Sequence, residues 1–117
     1  MTTTIWHNPR CSKSRQTLAL LEERGISPNV RLYLDDTPST SEVAEVLQQL
    51  GMKPWELLRR GEKVFKELGL DKDAADEALI EAMSANPILI ERPIVIHGGV
   101  AALGRPPRDD DNPGTTS

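Results

Sequence analysis

The sequence is poor in thiols and imidazoles, since its 117 residues include one cysteine, Cys11, and two histidines. A single cysteine cannot form an internal disulfide, so a redox cycle would need a second thiol from another molecule. Such cysteine usage is typical of a reducing compartment. One cysteine and two histidines without ligand spacing also argue against a structural metal site. We therefore expect a protein without a bound metal or other cofactor.

Aromatic residues, excess positive charge and long apolar runs are also scarce. Aromatic residues supply 3% of a chain that is 38% hydrophobic, so the core must be mainly aliphatic. The formal net charge of -4 gives no reason to expect nucleic acid as a partner. The first residues lack the basic and apolar regions of a secretory signal, and no apolar run approaches the roughly 20 residues of a membrane span. We expect a cytoplasmic protein.

The first third of the chain predicts a strand, a helix and a second strand. Thr3 to Trp6 are rich in β-branched and aromatic residues and end at an Asn-Pro loop, which is typical of a strand. Apolar residues then recur at helical spacing from Ser12 to about Arg24, and Gly25 ends that helix. Cys11 is therefore predicted at or just before a helix N-terminus. "NVRLYL" alternates like a strand, with Val30, Leu32 and Leu34 as its apolar positions.

The rest of the chain predicts helices, a hairpin and a tail. Ser39 and Glu42 form a capping box for a helix that Gly51 ends. Short helical segments follow from Pro54 to Met83, and a tight "HGG" turn predicts a hairpin from about Ile94 to Leu103. The final residues carry three consecutive acids and no apolar side chain except proline. We predict one domain over residues 1–107 and a flexible acidic tail over residues 108–117.

This order of elements predicts an α/β fold with a mixed sheet. The first two strands, joined by a helix, should be parallel, and a helical insertion separates the second strand from the C-terminal hairpin. A thiol between the first strand and the first helix is the thioredoxin-like or glutaredoxin-like arrangement.

The segment "HNPRCSKSR", residues 7–15, holds three full positive charges, a histidine and no acid around Cys11. Unpaired N–H groups at a helix N-terminus and nearby cations both favour a thiolate, so we predict a nucleophilic Cys11 with a lowered pKa. Arg10, Lys13 and Arg15 could attract an oxyanion. The alternative is a small buried hydrophobic cysteine. His7 could contact the thiolate or only brace the loop.

A cysteine phosphatase would also use a thiolate that lies close to an arginine. In those enzymes a longer loop closes on the arginine, whereas only three residues separate Cys11 from Arg15. No aspartate is placed as an obvious general acid either. The spacing therefore disfavours phosphatase chemistry.

Several segments resemble one known family. "IWHNPRCSKSRQTLALLEERG" resembles the opening of the glutaredoxin-coupled arsenate reductases, the ArsC-like proteins, which share a thioredoxin-like fold. "WELLRRGE", "KELGL", "ALIEAMSANPILIERPIVI" and "GRPP" occur in the family's order and spacing. The resemblance thus extends over residues 4–107. The "CSKS" sequence is similar to a branch described as arsenate-reductase-like.

The resemblance implies a set of site residues. Cys11 matches the family's nucleophile and His7 matches a histidine near it. The residues that match the arginines binding and polarising the oxyanion are Arg59, Arg92 and Arg105. Arg60 follows Arg59 directly, so a shift of one residue would exchange them. The resemblance also implies a cis peptide bond between Arg92 and Pro93.

The implied reaction is the reduction of arsenate. The Cys11 thiolate would attack arsenic, glutathione would add to the adduct, and glutaredoxin would resolve the mixed species, so both reductants are partners that act from outside. Two other functions remain open. One is a regulatory module like the relatives that bind the RNA polymerase α subunit, although Ser14 stands where their Cys-x-x-Cys switch has its second cysteine. The other is a general thiol oxidoreductase.

Overall fold

A four-stranded mixed sheet with the strand order β2-β1-β3-β4 organises the computed structural model, which describes residues 2–105. Helices and strands follow the predicted order along the chain. The elements are β1 (Thr3–Trp6), α1 (Ser12–Glu23), β2 (Asn29–Arg31), α2 (Thr40–Leu50), α3 (Pro54–Leu57), α4 (Lys63–Leu68), α5 (Asp76–Ala85), a 3-10 helix (Pro87–Leu89), β3 (Ile94–His97) and β4 (Val100–Leu103). In this part of the chain, no helix has the length and apolarity needed to span a membrane.

The strand pairing brings the ends of β1 and β2 to one edge of the sheet. β1 and β2 are parallel, as predicted, with Ile5 opposite Val30. β3 runs antiparallel to β1, with Trp6 opposite Ile94, and pairs with β4 as the predicted hairpin. The residues that follow β1 therefore lie beside the residues that precede β3.

The two faces of the sheet carry separate hydrophobic clusters, because neighbouring strand residues point to opposite faces. Ile5 packs with Val95 and with Leu21 of α1 on one face, and all three are fully buried. Trp6 belongs to the larger cluster on the other face, where α2 packs against β4 and α5. The sheet is therefore covered on both sides.

A capping box fixes the start of α2, as predicted. The Glu42 backbone N–H donates to Ser39 Oγ at 3.1 Å, and the Ser39 N–H donates to Glu42 Oε1 at 3.0 Å. Arg31 also donates to the Glu42 carboxylate, and these hydrogen bonds lower the pKa of Glu42 to about 2. At the other end Gly51 adopts a φ of 67°, which a glycine tolerates without strain.

The second strand differs from its prediction. β2 ends at Arg31, and Val30 and Leu32 are 46% and 41% exposed. The inward positions are Arg31, whose guanidinium lies 5.3 Å from the centroid of the Trp6 ring, and Tyr33, which stacks on that ring at 6.3 Å. The strand stops because the N–H groups of residues 35 and 36 turn back to the Leu32 carbonyl. The predicted tail, residues 108–117, lies outside the described residues.

Candidate active site

The loop after β1 places Cys11 at the start of α1. Cys11 is the N-cap of this helix, and its extended backbone leaves its own carbonyl to accept from the Arg15 N–H at 3.0 Å. The Cys11 N–H donates to the Asn8 carbonyl at 3.0 Å, which closes the loop. The thiol is half-buried. Cys11 therefore lies at the N-terminus of α1, as the sequence predicted.

Arg92 reaches the same sulfur from the segment before β3. Its Nε donates a hydrogen bond to Cys11 Sγ at 3.2 Å. The Arg92-Pro93 bond is cis, as the family resemblance implied. Because Trp6 pairs with Ile94, the loop after β1 and the residues before β3 meet at one sheet edge. Strand pairing thus brings the thiol and this guanidinium together.

The surroundings of Cys11 favour its ionised form. Partial burial raises the pKa of the thiol, but the backbone N–H of Ser14, the Arg92 guanidinium and the backbone N–H of Lys13 together outweigh burial. The net effect lowers the Cys11 pKa below its usual value. The predicted thiolate therefore has a specific set of donors.

A buried hydrogen-bond network supports the loop from below. Ser14 is fully buried, and its Oγ accepts from the Asn8 backbone N–H at 3.0 Å and lies 2.7 Å from Nδ1 of His7. Burial, and secondarily the charge of Arg15, lowers the pKa of His7 and favours a neutral ring. Since the ring of His7 is hydrogen-bonded to Ser14, the structure places it as a support of the loop. Sequence reasoning noted Ser14 only as a replaced cysteine and missed this contact.

Two of the three cations of the loop contact other parts of the chain. Arg15 Nη1 donates to the Pro9 carbonyl at 2.8 Å and so braces the loop. The Lys13 side chain lies toward Gly104, where its Cε is 3.0 Å from the position a Cβ would occupy. A cation from outside the loop, Arg92, donates a hydrogen bond to Sγ.

A short pairing after α3 brings Arg59 beside Arg92. Leu58 forms an isolated antiparallel bridge with Ile90, and the Arg59 N–H donates to the Leu89 carbonyl at 2.7 Å. Arg59 and Arg92 both approach Glu91 Oε1, at 3.4 and 3.7 Å. Arg60 instead lies 4.8 Å from the centroid of the Trp55 ring and is exposed. Arg59 therefore shares an ion-pair partner with Arg92, whereas Arg60 packs on an aromatic ring.

Two carboxylates complete this cluster, and sequence reasoning missed both. Glu62 Oε1 lies 2.8 Å from Arg59 Nη2, and Glu91 lies between Arg59 and Arg92. These four side chains, together with Glu56 and Arg60, line a cleft of about 510 Å³. We call Arg59, Glu62, Glu91 and Arg92 the ion-pair cluster.

Arg105 lies at the end of the described chain, next to a turn that packs on the site. The Gly104 N–H donates to the Pro93 carbonyl at 2.9 Å, and Thr17 Oγ1 donates to the Gly104 carbonyl at 3.2 Å. Arg105 follows this turn and is half-buried. The turn therefore joins the cis-proline segment to α1.

Tyr33 places a hydroxyl beneath the same region. The side chain is 1% exposed, and within residues 2–105 its hydroxyl has no hydrogen-bond partner. Burial raises the pKa of Tyr33 to about 12, while the charges of Arg92 and Arg59 act in the opposite direction. The Tyr33 hydroxyl is therefore close enough to the ion-pair cluster for the two guanidiniums to affect its pKa.

The arrangement suits nucleophilic chemistry on an anion. A thiolate at a helix N-terminus can attack an electrophile, and guanidiniums can hold the oxygen atoms that surround it. In the described part of the chain, no three His, Cys, Asp or Glu side chains form a group that could hold a metal ion. The chemistry available to these residues is that of a thiolate with arginine support.

Comparison with known proteins identifies one family and several close relatives in sequence. The model of the ArsC family matches residues 6–110. The chain is 51% identical over 105 residues to the uncharacterized protein YfgD of Escherichia coli K12, with 88% of each chain covered. It is 49% identical over 104 residues to a protein named arsenate reductase from Neisseria meningitidis, covering 87% of this chain and 89% of the relative.

Two solved structures share the architecture. The arsenate reductase from Vibrio cholerae is 50% identical with a TM-score of 0.86, and 91% of this chain and 92% of that chain are covered. The putative arsenate reductase from Yersinia pestis is 52% identical with a TM-score of 0.83, at 89% and 93% coverage. The predicted mixed α/β, thioredoxin-like fold is thereby confirmed.

Proposed function

Because the chain belongs to the ArsC family, we propose that it is an arsenate reductase with Cys11 as its nucleophile and with glutathione and glutaredoxin as external reductants. The observation that carries the proposal is the hydrogen bond from Arg92 Nε to Cys11 Sγ at 3.2 Å. That contact puts a guanidinium where it can support the thiolate first and the oxygens of an adduct afterwards. Relatives named arsenate reductase support the choice of substrate.

The first step forms a sulfur–arsenic bond. The Cys11 thiolate attacks the arsenic of the dihydrogen arsenate anion, one proton is taken up, and one arsenate oxygen leaves as water. The product is a covalent adduct in which the Cys11 sulfur is bonded to arsenic(V), with a single negative charge on the arsenic oxygens. Arg92 and Arg59 hold the oxygens of the adduct, and Arg105 is proposed as the third guanidinium. His7 acts through Ser14 on the loop that positions the sulfur.

The second step needs electrons that this chain cannot supply alone. Reducing arsenic(V) to arsenic(III) takes two electrons, which two thiols supply when they close into a disulfide. Cys11 is the only cysteine of the sequence, so the second thiol must come from outside. We assign that role to glutathione, whose thiolate attacks the Cys11 sulfur, so that the electron pair of the sulfur–arsenic bond stays on arsenic and arsenite leaves. Glutaredoxin then reduces the mixed disulfide between Cys11 and glutathione, and the Cys11 thiol returns. The cytosol, where such thiols are kept reduced, is the proposed location.

The test is arsenate-dependent consumption of NADPH with glutathione, glutathione reductase and glutaredoxin. Wild type should turn over arsenate, Cys11→Ser should not, and omitting glutaredoxin should abolish turnover. Ser12→Ala, an exposed change one residue away, is the matched control and should keep activity. A wild-type protein whose thiolate is reactive but which leaves arsenate unchanged would contradict the proposal and would favour general thiol exchange.

A further inference from the structure

The arginines proposed to bind the oxyanion already hold carboxylates of the same chain. Glu62 lies 2.8 Å from Arg59, and Glu91 approaches Arg59 at 3.4 Å and Arg92 at 3.7 Å. Two positive and two negative side chains therefore balance in the ion-pair cluster, before the negative thiolate of Cys11 is counted. An incoming oxyanion meets a cluster with no surplus positive charge.

The carboxylates occupy the outer side of the cluster. The side chains of Arg59 and Arg92 are 18% and 23% exposed, whereas those of Glu62 and Glu91 are 29% and 41% exposed. The carboxylates can therefore turn toward solvent while the guanidiniums stay in place. Such an exchange would replace one set of anionic oxygens on the arginines with another.

We propose that Glu62 and Glu91 compete with free oxyanions for Arg59 and Arg92, and so keep phosphate from occupying the site. The inference rests on the proposed function. Because the carboxylates must be displaced, the site binds tetrahedral oxyanions weakly until a covalent bond to Cys11 forms. The residues act through the two arginines and do not touch the reacting atoms themselves.

This competition keeps phosphate off the arginines, while the covalent step captures arsenate. The two ions have the same shape and similar charge, so non-covalent contacts with the arginines favour them about equally. Thiolates displace oxygen from arsenic readily and from phosphorus much less readily, so only arsenate gains the sulfur–arsenic bond. Weakening the shared contacts therefore reduces occupancy by phosphate and also raises KM for arsenate, and the sulfur–arsenic bond is what distinguishes the two ions.

The experiment compares Glu62→Gln, Glu91→Gln and the double variant with wild type. The control is the double variant Glu67→Gln/Glu81→Gln, which changes the net charge equally at exposed positions of α4 and α5. Calorimetry in the Cys11→Ser background measures the Kd of inorganic phosphate without covalent chemistry. The glutaredoxin-dependent assay gives KM for arsenate, the inhibition constant of phosphate and kcat.

Each cluster substitution should tighten phosphate binding roughly threefold, and the double variant about tenfold, as expected for partly exposed ion pairs. The inhibition constant of phosphate should fall by the same factors, and KM for arsenate should fall more than kcat changes. The control should leave all three constants unchanged. Thermal unfolding should show that every variant is folded.

Two results would overturn the inference while leaving the proposed function intact. One is an active wild type whose cluster variants bind phosphate no more tightly. The other is an equal tightening in the control, because net charge would then explain the effect. Failure of the proposed function looks different, since wild type would lack arsenate turnover. If the cluster variants then also bind phosphate no more tightly than wild type, the inference is removed as well.

Discussion

Arg92 Nε donates a hydrogen bond to Cys11 Sγ at 3.2 Å, although 81 positions separate the two residues in the chain. The contact depends on β3 pairing antiparallel with β1, which sets the residues before Ile94 beside those after Trp6. The backbone N–H groups of Ser14 and Lys13, in the first turn of α1, also lower the pKa of this thiol. The adjacent helix N-terminus and the sequence-distant Arg92 therefore both lower the pKa of the Cys11 thiol.

The lowered pKa of Cys11 predicts alkylation at a lower pH than an ordinary thiol allows. The rate of reaction with iodoacetamide should reach half its maximum below pH 9.0, the usual pKa of a thiol. The protein unfolded in urea should show the higher midpoint, because the helix N-terminus and Arg92 then no longer act on the thiol. The Cys11 pKa is lower in the folded protein than in the unfolded protein, so ionisation of the thiol stabilises the fold. This stabilisation is complete above the pKa of the unfolded protein, and it is lost as the pH falls through the pKa of the folded protein. Equal midpoints for the folded and unfolded chains would contradict the prediction.

Replacing Arg92 with lysine tests whether charge alone is sufficient. Lysine keeps the positive charge but lacks the planar fork that can hold paired oxygens, so kcat/KM for arsenate should fall by about 100-fold. The midpoint of thiol alkylation should also rise, because the donor at 3.2 Å is lost. Arg60→Lys, at an exposed residue over Trp55, is the control and should change neither value by more than about twofold. Unchanged turnover in Arg92→Lys would remove the role assigned to this arginine.

Much of the fold that positions the thiol could be predicted, because it depends on local signals. β-Branched and aromatic residues before an Asn-Pro loop correctly predicted the strand Thr3–Trp6. Apolar residues at helical spacing, followed by a glycine, correctly predicted α1. The Ser39 and Glu42 capping box marked α2, and the "HGG" turn marked the hairpin. Each signal acts within a few residues, so tertiary contacts did not override it.

The side-chain pairings of the site required tertiary information. Glu91 precedes Arg92 in the sequence, but its contact with Arg59 exists only because Leu58 bridges to Ile90. Alternation in β2 also failed to identify the inward face. Val30 and Leu32 are the more apolar residues, yet Arg31 and Tyr33 cover the Trp6 ring because both can stack on it.

Ser14→Ala should destabilise the loop that carries the thiol. The substitution leaves the Asn8 N–H and Nδ1 of His7 buried without their partner, so the free energy of unfolding should fall by about 1–3 kcal/mol. Urea unfolding measures the change. Ser12→Ala, in the exposed first turn of α1, is the control and should stay within about 0.5 kcal/mol of wild type. A Ser14→Ala protein as stable as wild type would show that these hydrogen bonds contribute nothing net.

Tyr33→Phe should stabilise the protein, in contrast to most changes of a buried residue. The Tyr33 hydroxyl is buried without a hydrogen-bond partner among the described residues, so removing it should raise the free energy of unfolding by about 1 kcal/mol at neutral pH. The pKa of Tyr33 is raised from 10.0 to about 12, so wild type should lose further stability as pH rises from 10 to 12, and the variant should not. Tyr33 is the only tyrosine, so phenolate absorbance reports its titration directly. A destabilised Tyr33→Phe protein, or a titration midpoint near 10, would show that the hydroxyl has a partner or is open to solvent.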